Sequence, residues 1–238
     1  MYDNIRYIKT AILVDGGFYR RRAQTLFGEK TAAKRADELS QYCYKHLNEK
    51  HEHRELLRVF YYDCPPMEKQ VYHPFLKRTV NFKKTDLYTW SNEFLNELKK
   101  KRKFALRLGK LSDTQAHYNI RPDIVKRLLS GTLELKDLTE HDFFISVDQK
   151  GVDMKIGLDI ASMAYKKQVE QIILISADSD FTPAAKLARR EGIDFILDPM
   201  GSTIKSDLHE HIDGIRSVYK KLLPKSSSVD TSTDDSTT

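Results

Sequence analysis

Cysteine is scarce in this chain: Cys43 and Cys64 are the only two in 238 residues, and they form no CxxC pair. That excludes a disulfide framework and a thiolate zinc site, and a reducing cytoplasm is the compartment that fits. Zinc bound through histidine has no signature either, because His51-Glu52-His53 and His209-Glu210-His211 lack the HExxH spacing that sets two imidazoles on one helix face. Both read as solvated surface. No apolar run approaches the ~20 residues that span a bilayer, and residues 1–10 carry charges where a leader segment would carry an apolar stretch. The expectation is a soluble, unsecreted protein. No internal repeat stands out.

A hydrophobic content of 40% is enough for one sizeable core. The expected organisation is one domain over residues 1–224 with a basic insertion at about 81–140. Residues 225–238 are Ser, Thr and Asp with little to bury, which reads as a disordered tail. Between Lys77 and Lys110 stand eleven Lys or Arg against Asp86, Glu93 and Glu97, an excess larger than the whole chain's +6. The remainder is therefore slightly acidic, and the basic stretch suggests an anionic partner such as nucleic acid.

Short β-branched runs alternate with stretches of helical spacing, the pattern of βαβ units in a parallel sheet. Strands are expected over residues 10–14, 56–62, 104–108, 143–147, 171–176 and 194–197. Helices are expected over 18–27, 33–50, 86–103, 152–167, 183–191 and 206–222, with insertion helices near 92–103 and 122–130. The run Ile172-Ile173-Leu174-Ile175 is apolar on both faces, as a central covered strand must be. Thr182-Pro183 reads as an N-cap and first-turn pair, with Gly192 as the stop.

Three strand ends carry acids. Asp15 follows the first strand and precedes Gly16-Gly17, Asp153 follows the 143–147 strand at a helix start, and Asp178 and Asp180 leave the central strand. Ligands of open α/β sheets bind outside the carboxyl ends of the strands. Each acid has a plainer reading: Asp15 as a turn former, Asp153 as a partner of the helix dipole, and Asp180 as a residue leading into the next helix. Those roles do not require all four on one edge. Four crowded carboxylates repel one another, and a hard divalent cation relieves the repulsion, with Mg²⁺ or Mn²⁺ the natural choice. Such a site activates water against phosphodiesters. Asp159 lies six residues beyond Asp153, roughly 240° around a helix, so it reads as supporting the site rather than binding the metal.

The order Leu-Val-Asp-Gly-Gly, then Lys-Gly-Val-Asp with a further Asp six residues on, then Ser-Ala-Asp-Ser-Asp-Phe, resembles the NYN domain family of the PIN-like superfamily, most of all its LabA-type branch. The resemblance runs from about Lys9 to Leu222. It implies a three-layer α/β/α Rossmann-like sandwich with a mainly parallel central sheet and a helical insertion. It also implies a Mg²⁺ or Mn²⁺ site and endoribonuclease activity. Carried over by position, the acidic site is Asp15, Asp153, Asp178 and Asp180, serving both catalysis and metal binding, with Asp159, Ser176 and Ser179 around it. Two positions depart from the pattern: Phe18 stands where many relatives have Asn, and Ala177 where Gly is usual.

Basic candidates for contact with RNA, single-stranded or structured, are Arg20 and Arg21, close after Asp15, and the run Lys99, Lys100, Lys101, Arg102 and Lys103 with Arg107 beyond it. The run also suits a solvated helix end. Asp63, before Cys64-Pro65-Pro66, reads as a turn residue more readily than as part of the site rim. The expected function is a metal-dependent ribonuclease, and the alternative is a non-catalytic RNA-binding or regulatory module on the same fold. A phosphatase of the haloacid dehalogenase type needs an acid two residues after Asp15, where Gly17 stands. Oligomeric state is left open, a homo-oligomer included.

Overall fold

The computed structural model describes residues 7–48 and 53–221, with the side chains of 113–115 and 221 excepted. The expected tail at 225–238 lies outside the described residues. Strand β1 (Tyr7–Asp15) leads into helix α1 (Gly16–Phe27), then α2 (Ala32–Lys45) and β2 (His53–Asp63). A hairpin, β3 (Gln70–His73) and β4 (Arg78–Asn81), precedes α3 (Asp86–Lys100) and β5 (Phe104–Leu108). Next come β6 (Lys110–Ile120), α4 (Pro122–Leu129), β7 (Phe143–Lys150) and α5 (Val152–Tyr165). The chain continues through β8 (Gln171–Ile175), α6 (Thr182–Arg190), β9 (Asp194–Asp198), α7 (Ser206–Glu210) and β10 (Gly214–Ile215).

Six strands form one sheet in the order β10-β9-β8-β1-β2-β5, and every neighbouring pair is parallel. A parallel sheet needs cover on both faces, and two apolar layers supply it. On one face Ile12, Val14, Val59, Tyr61, Ile173 and Ile175 meet Tyr19 and Ala23 of α1, Leu39 and Tyr42 of α2, and Phe94 and Leu98 of α3. On the other, Leu13, Phe60, Ile172 and Leu174 meet Ile156, Ile160 and Met163 of α5 and Ala185 and Ala188 of α6. The result is the expected α/β/α sandwich, and β8 is buried along its whole length.

The chain leaves β1 toward β2 and β5 on one side, while β8, β9 and β10 build the other. The crevice between the carboxyl ends of β1 and β8 is therefore the topological switch point, where open α/β sheets bind their ligands.

Four expectations change. The strand expected over 143–147 pairs antiparallel with β6 alone, in a two-stranded ribbon outside the main sheet. The span 81–140 divides: α3 joins the core through Phe94, Leu95 and Leu98 and β5 edges the main sheet, whereas 110–150 is the ribbon, with α4 in its connection. Rings join the β3–β4 hairpin to this ribbon, with His73 4.0 Å from Tyr118 and 5.3 Å from Phe143 between centroids. The helix expected over 206–222 stops at Glu210, because Ile212 and Val218 turn into the two cores and Gly214–Ile215 adds a short edge strand. Thr182 is not an N-cap: Asp178 caps a preceding 3-10 turn, and α6 starts from it without a side-chain cap.

Candidate active site

Asp15 ends β1 and is the N-cap of α1. One carboxylate oxygen accepts from the Phe18 amide at 3.0 Å and the other from the Ser176 hydroxyl at 3.2 Å. Gly16 permits the turn, since a Cβ there would lie 2.5 Å from the Tyr61 ring and 2.6 Å from the Tyr62 carbonyl oxygen. Ser176, fully buried at the end of β8, also accepts from the Asp178 amide at 3.3 Å. One hydroxyl thus ties the ends of the two central strands together. Asp178 is exposed and accepts from the Asp180 amide at 3.0 Å; Asp180 is exposed as well. Ser179 opens the 3-10 turn, and its carbonyl accepts from the Thr182 hydroxyl.

Asp153 reaches this edge although its strand is not in the sheet. The chain returning along β7 crosses so near the end of β5 that a Cβ on Gly109 would lie 2.7 Å from the Lys150 carbonyl oxygen and 2.9 Å from Val152. Helix α5 then starts with Asp153 in its first turn, where exposed N–H groups favour an anion.

The acids feel one another. Burial raises the Asp15 proton affinity; the Phe18 amide, the Ser176 hydroxyl and Arg21 oppose that rise, and Asp153 adds to it. Asp153 is raised first by burial, then by Asp178 and by Asp180. Among the described residues, however, no group of three or more His, Cys, Asp or Glu is arranged to hold a metal ion. The four side chains share an edge and a field without forming a closed cage. An all-carboxylate donor set suits a hard cation, and Mg²⁺ is commonly held by only one or two carboxylates with waters and substrate phosphates completing its shell. The residues fit such an ion in donor chemistry.

The remaining candidates separate. Arg20 is committed to Asp63, with its Nε and one terminal nitrogen each 3.1 Å from a carboxylate oxygen. Asp63, 3% exposed, also accepts from the Tyr61 hydroxyl and the Cys64 amide, each at 2.8 Å. It is therefore a buried anchor and not a simple turn residue, a role that depends on an arginine 43 positions away. Arg21 is exposed at the rim. Asp159 accepts from the Tyr62 hydroxyl at 2.8 Å and from Arg107 Nε at 3.0 Å, and Arg107 also lies over the Phe60 ring. Arg107 is level with Asp15 two strands away, through Tyr62.

The basic run stands elsewhere. It ends α3 and precedes β5, at the amino-terminal edge of the sheet, opposite the acids. Lys100 pairs with Glu97, Lys101 with Asp37, Lys99 bonds Asn96 and Lys103 donates to the Leu56 carbonyl; Arg102 is exposed. Sequence reading also passed over a buried network at Asp198, which accepts from Tyr42, Ser217 and the Met200 amide and contacts His46 at 2.8 Å. No helix among the described residues is long and apolar enough to cross a membrane.

A family model described as the NYN domain matches residues 9–208. No curated protein matches the chain. Among solved structures, the chain is similar to a protein of unknown function from Vibrio parahaemolyticus, with a TM-score of 0.48 and 14% identity over 92% of this chain and 96% of that one.

Proposed function

The chain belongs to the NYN domain family, and from that membership we propose that it is a divalent-metal-dependent ribonuclease acting at the crevice between β1 and β8. NYN domains are generally inferred to be PIN-like ribonucleases. The observation that carries the reading is that separate segments converge on one edge: the Ser176 hydroxyl ties Asp15 to the Asp178 segment, and the close crossing at Gly109 delivers the chain to Asp153, whose proton affinity Asp178 and Asp180 raise. Structural roles alone would scatter four acids, whereas a shared negative field built from separate segments is what a bound cation exploits. The finer placement, in the LabA-type branch, rests on the motifs at 150–159 and 176–181.

A Mg²⁺ or Mn²⁺ ion held by these carboxylates would supply an activated water and neutralise phosphoryl charge. The chain's own residues set the frame. The Phe18 amide and Ser176 hydroxyl orient Asp15, and Ser176 keeps the Asp178 segment in register with it. The first turn of α5 sets Asp153 at this edge. Arg21, exposed at the rim, and Arg107, level with Asp15 through Tyr62, are the cations we assign to the RNA backbone.

The test is cleavage of single-stranded and structured RNA with added Mn²⁺ or Mg²⁺, and again with excess chelator. Turnover that appears with metal and stops with chelator is expected. The second reading, a non-catalytic RNA-binding module, is favoured by the open arrangement of the acids; saturable RNA binding without turnover in either metal would select it.

A further inference from the structure

Beside the acid edge lies a cavity of about 170 Å³. Its walls are built by segments that also carry the proposed site. Arg20 comes from α1 directly after Asp15, Asp63 and Cys64 end β2 next to the level of Asp15, and Ile145, Val147 and Gln149 lie on the strand that runs into Asp153. The first half of α3 closes the remaining side with Tyr88, Ser91 and Phe94. A group seated in the cavity would be attached to a chain passing the crevice.

Size and lining narrow the occupant. Pockets for drug-sized ligands run to roughly 300–1,000 Å³, so this one admits a single small ring system and not a dinucleotide. Its surface is mostly apolar, and Phe82, Tyr88 and Phe94 are among its lining residues. Two hydrogen-bonding side chains stand in it with no bond to another described residue: the Ser91 hydroxyl, on a residue only 7% exposed, and the Gln149 amide. Apolar faces with a few unspent polar groups match a planar heterocycle that stacks by its face and bonds by its edge. Single-stranded RNA is read in that manner, base by base.

We propose that this cavity takes one nucleobase of the RNA strand whose backbone crosses the acid edge, and that it sets base preference next to the cleaved bond. The proposal rests on the RNA reading above but not on catalysis. Gln149 offers both a donor and acceptors to the base edge, and Ser91 adds a group that can act either way. Arg20, held by Asp63, lines the cavity and comes from the helix that Asp15 caps.

Trp90, the only tryptophan in the chain, reports on the cavity because its ring stacks on Phe94 at 5.1 Å and 12°. The experiment titrates the intact protein, without divalent metal, with the four ribonucleoside 5′-monophosphates and with ribose 5-phosphate, following Trp90 emission. A saturable change with at least one nucleotide, and none with ribose 5-phosphate, is expected. Ser91→Phe, which fills the cavity, should weaken the nucleotide by about 10-fold or more, and Gln149→Ala, at an exposed strand position, should weaken it several-fold. Equal responses to nucleotide and ribose 5-phosphate overturn the base pocket, as does the absence of any saturable response. Should Ser91→Phe fail to fold, nucleotide affinity unaltered in Gln149→Ala overturns it alone. With no metal and no scissile bond present, the result is separate from whether the protein cuts RNA.

Discussion

Asp63 and Asp198 sit at strand ends, as Asp15 and Asp178 do, yet the two pairs live in different worlds. Asp198 is fully buried and meets Tyr42, His46, Ser217 and the Met200 amide. Asp63 is as well supplied by Arg20, Tyr61 and the Cys64 amide. An ionised carboxylate offers about four lone-pair sites, and these two have spent theirs inside the protein. Asp15 has two partners, Asp178 one, and Asp153 and Asp180 keep their side chains free of hydrogen bonds among the described residues. The difference teaches which acids hold the fold and which are left over for something outside it.

The largest effect that would break this contrast is expected at Asp198. Asp198→Ala strands a buried imidazole, two hydroxyls and an amide, and should destabilise the fold by about 3–5 kcal/mol in urea unfolding. A loss under about 1 kcal/mol would show that its network is dispensable and that the two classes of acid do not differ.

Asp153 should behave in the opposite sense. Its folded proton affinity is raised, by burial first and then by Asp178 and Asp180. The folded state therefore holds the proton more tightly than the unfolded chain, and stability falls as pH rises from the unfolded value near 4 through the raised folded one. Asp153→Asn removes that loss. Melting curves of variant and wild type should converge in acid, and the variant should be at least as stable at neutral pH. Added Mg²⁺ should stabilise the wild type more than the variant, since a ligand of the native state shifts unfolding by mass action. A variant that is less stable at neutral pH would put Asp153 among the structural acids.

Cys64 supplies a smaller test beside Asp63. Its thiol is pushed up to about 11, by burial first and then by Asp63, so little thiolate exists near pH 8. Alkylation of the folded protein by iodoacetamide at that pH should be about tenfold slower or more than for an unfolded control. Equal rates would mean the end of β2 opens freely.

Much of this was legible in the sequence, for physical reasons. The run 172–175 declared a doubly covered strand because every position is apolar, and Asp15 and Asp178 declared their edge because strands so bounded must end there. The ribbon was not legible: residues 143–147 have the composition of a sheet strand, and only pairing with β6 shows where they go. The short β10 carries too few residues for any periodicity. Nor was the division of acids into spent and unspent visible, because Arg20 reaches Asp63 and Tyr42 reaches Asp198 across long sequence separations that packing alone brings together. Lys99–Lys103 suggested an RNA contact by charge, whereas its place at the amino-terminal edge follows from the direction of β5.

The most direct measurement is the rate of RNA cleavage in Mn²⁺ by wild type and by Asp178→Asn, with both shown folded by the same unfolding midpoint. An asparagine can keep the bond from the Asp180 amide through its side-chain oxygen, so the substitution removes charge and leaves the turn. A loss on the order of 100-fold or more is expected. Metal-dependent cleavage that continues at the wild-type rate in Asp178→Asn would contradict the assignment of the β1–β8 crevice as the catalytic edge.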